Sequence, residues 1–133
     1  MCIRDRTIAT TGNSQDFGDL THLETNGSGC SNSTRGVQMG GSNGTNDSVI
    51  DYFNLASAGN AVNFGDLTSG RYVTGSMASS IRGVCAGGRQ DPDVEIDVID
   101  YITLATQGDA VDFGNLLTVQ KAPAGLSNAH GGL

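Results

Sequence analysis

Residues Gly12–Leu20 read GNSQDFGDL, Gly59–Leu67 read GNAVNFGDL, and Gly108–Leu116 read GDAVDFGNL. The leading glycine and the phenylalanine recur together, at Gly12, Gly59 and Gly108 and at Phe17, Phe64 and Phe113, in steps of 47 and then 49 residues. Working outward, Arg35-Gly36-Val37 and Gly40-Gly41 return as Arg82-Gly83-Val84 and Gly87-Gly88. Val49-Ile50-Asp51-Tyr52 returns as Val98-Ile99-Asp100-Tyr101. Three phrases kept in one register mean a tandem array of supersecondary units, none able to bury its apolar face alone.

The register divides the chain. Residues 7–20 are the end of one unit, 21–67 and 68–116 are complete units, and 117–133 begin another. Within a unit, four short strands alternate with glycine-rich turns. In the first complete unit these are Thr25–Ser31, Arg35–Met39 stopped by Gly40-Gly41, Val49–Ala56, and Ala61–Leu67 after a Gly59-Asn60 turn. Val49–Ala56 carries apolar residues on both faces, as a strand held between neighbouring sheets does. The two extra residues of the second unit fall between Gly88 and Val98, so length varies in a loop and not in a strand. Met1–Arg6 (MCIRDR) fits neither a signal peptide nor the repeat. It resembles the translated adapter leader of reading frames assembled from environmental DNA, and is expected to be non-native.

Composition fits an all-β reading. Helix formers are scarce, with one lysine and two glutamates among 133 residues, while 20 glycines sit at repeated places rather than in a collagen period. Formal net charge is −7. Only Arg35, Arg71, Arg82, Arg89 and Lys121 lie within the repeats, too few for a phosphate-neutralising patch, so nucleic acid is not an expected partner. Membrane insertion is not expected either, since no apolar run reaches spanning length. Cys2, Cys30 and Cys85 have no metal or redox spacing and read as small hydrophobes.

The order of features resembles a kelch repeat, whose blades run to about 50 residues. A kelch blade has an Arg before its first strand, a second strand ending in Gly-Gly, a third with a Tyr and a fourth with a Trp. Arg71, Gly87-Gly88, Tyr101 and Phe113 stand at those places. The preceding unit offers Gly40-Gly41, Tyr52 and Phe64, but Glu24 stands where the Arg belongs, and Phe replaces Trp throughout. The wording is similar to the kelch-like repeats of structural proteins of marine bacteriophages. That resemblance implies a β-propeller fragment of four-stranded antiparallel blades, completed by missing blades or by other chains.

Repetition separates scaffold from site. Gly40, Gly41, Gly87, Gly88, Phe17, Phe64 and Phe113 recur and read as scaffold. Arg35 and Arg82 recur with Asp51 and Asp100, which suggests hydrogen-bonded pairs within or between blades. Asp19 and Asp66 are expected to accept backbone N–H bonds at a turn. The units differ in the loops Ser42–Ser48 and Arg89–Asp97, so Ser42, Asn43, Asn46, Asp47, Arg89, Gln90, Asp91 and Asp93 are the candidate contact residues. Asp91, Asp93, Glu95 and Asp97 alternate in DPDVEID and form a weak candidate for Ca²⁺, with a solvated acidic loop the stronger reading.

His22 and His130 stand at non-equivalent repeat positions with no Cys or carboxylate at ligand spacing, so no metal site is expected there. No Ser/His/Asp set, phosphate loop or Tyr–Cys–His copper constellation stands out, and neither catalysis nor a cofactor is expected. The resemblance implies a virion protein of tail or fibre type, whose loops meet a cell-surface glycan or protein. The alternative is an assembly module that contacts other virion subunits.

Overall fold

The computed structural model describes residues 2–6 and 9–127. Twelve strands follow in chain order: β1 (Cys2–Asp5), β2 (Gln15–Asp19), β3 (Ser28–Ser31), β4 (Arg35–Ser42), β5 (Asn46–Asn54), β6 (Val62–Asp66), β7 (Gly75–Ala78), β8 (Arg82–Ala86), β9 (Arg89–Gln90), β10 (Val94–Glu95), β11 (Val98–Thr103) and β12 (Val111–Asn115). The protein is all-β, with no helix among the described residues. Two four-stranded antiparallel sheets, β3-β4-β5-β6 and β7-β8-β11-β12, are the two complete units. The pairs β1-β2 and β9-β10 make two smaller sheets.

The repeated phrase FGDL turns out to be a bulge. Ile50 pairs with Gly65 and Asp51 with Asn63, so Phe64 is the extra, unpaired residue of β6. Ile99 with Gly114 and Asp100 with Asp112 leave Phe113 in the same position. The bulge turns each ring onto its strand neighbour: Tyr52–Phe64 and Tyr101–Phe113 meet edge to face at 5.8 and 5.9 Å. The glycine after the first two phenylalanines is needed for a close approach, while Gly114 after Phe113 faces open space. A Cβ on Gly65 would collide with the carbonyl of Gly108, and one on Gly18 with that of Gly59. Those same loops bond backbone to backbone, from Gly59 N to Phe17 O at 2.7 Å and from Gly108 N to Phe64 O at 2.8 Å. Both halves of the phrase therefore recur together because one unit's turn docks on the previous unit's bulge.

A second seam joins the units at their first strands. Val73 N donates to Asn26 O and Ala122 N to Val73 O, each at 2.8 Å. Asn26, Val73 and Ala122 all have positive φ, at 59°, 54° and 53°. A left-handed valine is sterically costly, so tertiary bonding and not local preference holds it there. Between the seams a single core runs across both units: Val37, Met39, Ile50, Phe64 and Leu67 from the first, Cys85, Ile102, Leu104 and Ala110 from the second. Burying each of its larger side chains contributes roughly 1.5–3 kcal/mol. Cys30 packs against it, and burial followed by the nearby Cys85 pushes its thiol up to about 12.

Several sequence expectations change. The double glycine does not stop the second strand of the first unit, because β4 continues to Ser42 through a register shift between Met39 and Gly41. Much of the expected loop Ser42–Ser48 is thus strand, leaving a tight turn at residues 43–45. Arg35 and Arg82 do not pair with Asp51 and Asp100. Each guanidinium lies 4.7 Å above a tyrosine ring instead, Tyr52 or Tyr101, and Arg35 donates across the units to Leu104 O at 2.7 Å. Asp66 accepts from the Ser48 hydroxyl at 2.9 Å rather than from a turn amide.

Cys2–Asp5, set outside the repeat on sequence, takes the place that β5 and β11 take in the full units. Cys2↔Asp19 and Ile3↔Gly18, a shift, then Arg4↔Asp16 and Asp5↔Gln15 match the β5-β6 pairing step for step. In the last unit, Gln120 O accepts from Gly88 N as Arg71 O does from Gly41 N. No strand forms among residues 117–127, and the aligned segment at 128–133, His130 included, lies outside the described residues.

Candidate functional site

One edge of the two sheets carries the β4-β5 turn and the β9-β10 hairpin, and these touch. Asp91 N donates to Asn46 Oδ1 at 2.8 Å, joining a residue of each predicted contact loop. Gln90 Nε2 donates to Gly70 O at 3.0 Å, and Tyr72 Oη to Asp91 Oδ1 at 3.3 Å. Arg89 pairs with Asp93 and lies 6.0 Å from the Tyr72 ring centre. Ser42 pairs in the sheet with Asn46, and Asn43 accepts from the Thr45 hydroxyl at 3.0 Å. Asp91 and Asp93 are exposed; Arg89 and Gln90 are half-buried.

The four alternating acids do not converge. Asp93 is taken by Arg89, Glu95 lies 3.4 Å from Lys121 Nζ, Asp97 accepts from Asn115 Nδ2 at 3.1 Å, and Asp91 faces Tyr72. A hairpin of two-residue strands splays what an extended strand would have aligned. These side chains form no common cation site.

A different group does converge, just beneath that edge. Asp47 is buried rather than presented to solvent, and its Oδ2 lies 2.9 Å from His22 Nε2. Glu24 is 3 % exposed, with Oε2 3.5 Å from the same nitrogen. Asp51, fully buried, stands on the other side of the ring, 3.8 Å from Nδ1. Sequence reasoning set His22 aside for want of a Cys or carboxylate at ligand spacing; Glu24 stands two residues away, and the β4-β5 hairpin brings in Asp47 from a distance. Burial, then the charges of Asp47 and Asp51, push the Glu24 carboxyl up to about 8. The legible signal was Glu24 itself, standing where the next unit has an arginine.

That arginine shows how the second unit fills the same position. Thr21 and Thr68 cap the two aspartates alike, backbone N–H and hydroxyl donating to Asp51 and Asp100 at 2.8–3.0 Å. In the second unit Arg71, wholly buried, reaches Asp100 at 3.0 Å and supplies the balancing charge. In the first unit an acid occupies the same place.

No protein-family model matches this chain, and comparison with curated proteins finds no significant match. The fold defines an all-β tandem-repeat protein built of four-stranded antiparallel sheets.

Proposed function

We propose that the chain is a stretch of kelch-like β-propeller from a phage virion protein, and that it works without catalysis, as a binding module. Its partner would be a glycan or protein of the host surface. The observation that carries this reading is the meeting of the β4-β5 turn and the β9-β10 hairpin through Asn46 and Asp91. Neighbouring units thereby present one continuous polar edge, rigidly backed by sheet, at the place where the repeats differ most. Loops held by a fixed scaffold are suited to recognition. Replacing Arg89–Asp97 by a Gly/Ser linker should abolish saturable binding of the purified chain to host cells while its β-sheet circular dichroism persists. Unchanged binding would refute the assignment of that edge.

A second reading is an assembly module contacting other virion subunits. It is favoured by the apolar surface at the far end of the second unit, where Phe113, Leu117 and Leu126 are exposed. The linker variant separates the two, since an assembly module gives no saturable binding to cells in either form. Co-purification with virion subunits, lost on Phe113→Asp, would establish it.

A further inference from the structure

We propose that His22, Glu24 and Asp47 bind a divalent transition-metal ion of the zinc class, which supplies to the first unit the positive charge that Arg71 supplies to the second. One imidazole nitrogen and two carboxylate oxygens lie within 4.8 Å of one another. Ligand atoms held about 2.0–2.2 Å from a common ion at angles between octahedral and tetrahedral stand roughly 3.0–3.5 Å apart. The contacts at His22 Nε2, 2.9 Å to Asp47 and 3.5 Å to Glu24, have that spacing. They are not hydrogen bonds: neither Nε2 nor Glu24 Oε2 has a hydrogen-bond partner, although both atoms are buried. A carboxylate 98 % buried at its side chain and aimed at an unbonded imidazole nitrogen is an arrangement that an ion completes.

The surrounding contacts orient the ligands. His22 Nδ1 lies 2.9 Å from the Thr21 hydroxyl, which donates onward to Asp51 at 2.8 Å. With its proton on Nδ1, the ring donates to that hydroxyl and turns the Nε2 lone pair to the ligand side, the outer-shell arrangement typical of metal-binding histidines. Asp47 is fixed by its other oxygen, Oδ1, which accepts from Val49 N at 2.9 Å. One nitrogen with two carboxylates favours Zn²⁺ over Ca²⁺ or Mg²⁺, which prefer all-oxygen sites. The second unit lacks all three ligands, having Ser69, Arg71 and Ile96 at the matching places, and holds its cation covalently instead.

The test is isothermal titration of the EDTA-treated 133-residue chain with ZnCl₂, in a Cys2→Ser background that removes the exposed thiol. One equivalent should bind, with the thermal midpoint rising by about 5 °C or more at excess zinc. Glu24→Gln and His22→Ala should each weaken binding at least about tenfold, whereas Asp97→Asn should not. Glu24→Arg, copying the second unit, should lose zinc binding yet unfold no lower than the metal-free parent, which guards against mistaking misfolding for ligand loss. Absence of zinc uptake by the folded parent, uptake indifferent to Glu24→Gln and His22→Ala, or equal affinity for CaCl₂ would each overturn the proposal.

Discussion

The two complete units share a backbone plan and, besides the segment after the double glycine, diverge at one place inside and one at the surface. Inside, a threonine-capped aspartate faces Arg71 in the second unit and faces Glu24, Asp47 and His22 in the first. At the surface, Phe64 is 3 % exposed and Phe113 is 59 % exposed, although each occupies the equivalent bulge and meets the equivalent tyrosine, Tyr52 or Tyr101, edge to face. The lesson is that repeat position fixes conformation, while charge balance and burial depend on what comes next in space. A unit is finished by its neighbour.

The sharpest way to break the comparison is to remove the internal cation. Arg71→Met leaves Asp100 buried and uncompensated, and should cost about 3–5 kcal/mol in urea unfolding. Loss below about 1 kcal/mol would mean that Thr68 alone satisfies the aspartate. Next comes the pair of phenylalanines. Phe64→Ala should cost about 3–4 kcal/mol by opening a cavity between the units, and Phe113→Ala less than about 0.5 kcal/mol. Equal costs would mean that Phe113 is covered in solution, for instance by self-association, which light scattering would detect.

The glycines sharpen the same contrast on a smaller scale. Gly65 and Gly114 have similar φ, 155° and 143°, but only at Gly65 would a Cβ meet anything. Gly65→Ala should therefore destabilise by about 2–3 kcal/mol and Gly114→Ala by about 1 kcal/mol, the difference reporting the close approach of Gly108. The smallest effect is a gain. Val73→Asn copies Asn26 at the same left-handed position and should stabilise by about 0.5–1 kcal/mol, seen as a higher urea midpoint.

Much of the architecture was legible because it is periodic. Four sheet strands per unit and length variation confined to Arg89–Asp97 follow from phrases that recur in register, whereas the turn expected at Gly59-Asn60 falls earlier, at residues 55–56. The bulge at Phe64 was not legible, since a bulge is a property of pairing between strands and Phe-Gly is equally compatible with a plain strand. The left-handed seam was invisible for another reason: of Asn26, Val73 and Ala122 only the asparagine is a residue that favours left-handed backbone, so the backbone bonds between units reveal their equivalence. Arg35 and Arg82 were matched with acids rather than with the tyrosine rings they cover, because recurrence gives a common role without giving the partner.

The candidate sites divide in the same way. The sequence by itself determined a β-rich array with a period near 50 residues and the place where its loops differ, because local preference and repetition are written residue by residue. Only the tertiary structure decided that the DPDVEID acids disperse over separate partners, that Asn46 meets Asp91, and that Asp47 turns inward to join His22 and Glu24. Those outcomes depend on which strands pair and which groups lose water together. Burial and charge compensation act between residues distant in the chain, and no single segment specifies them.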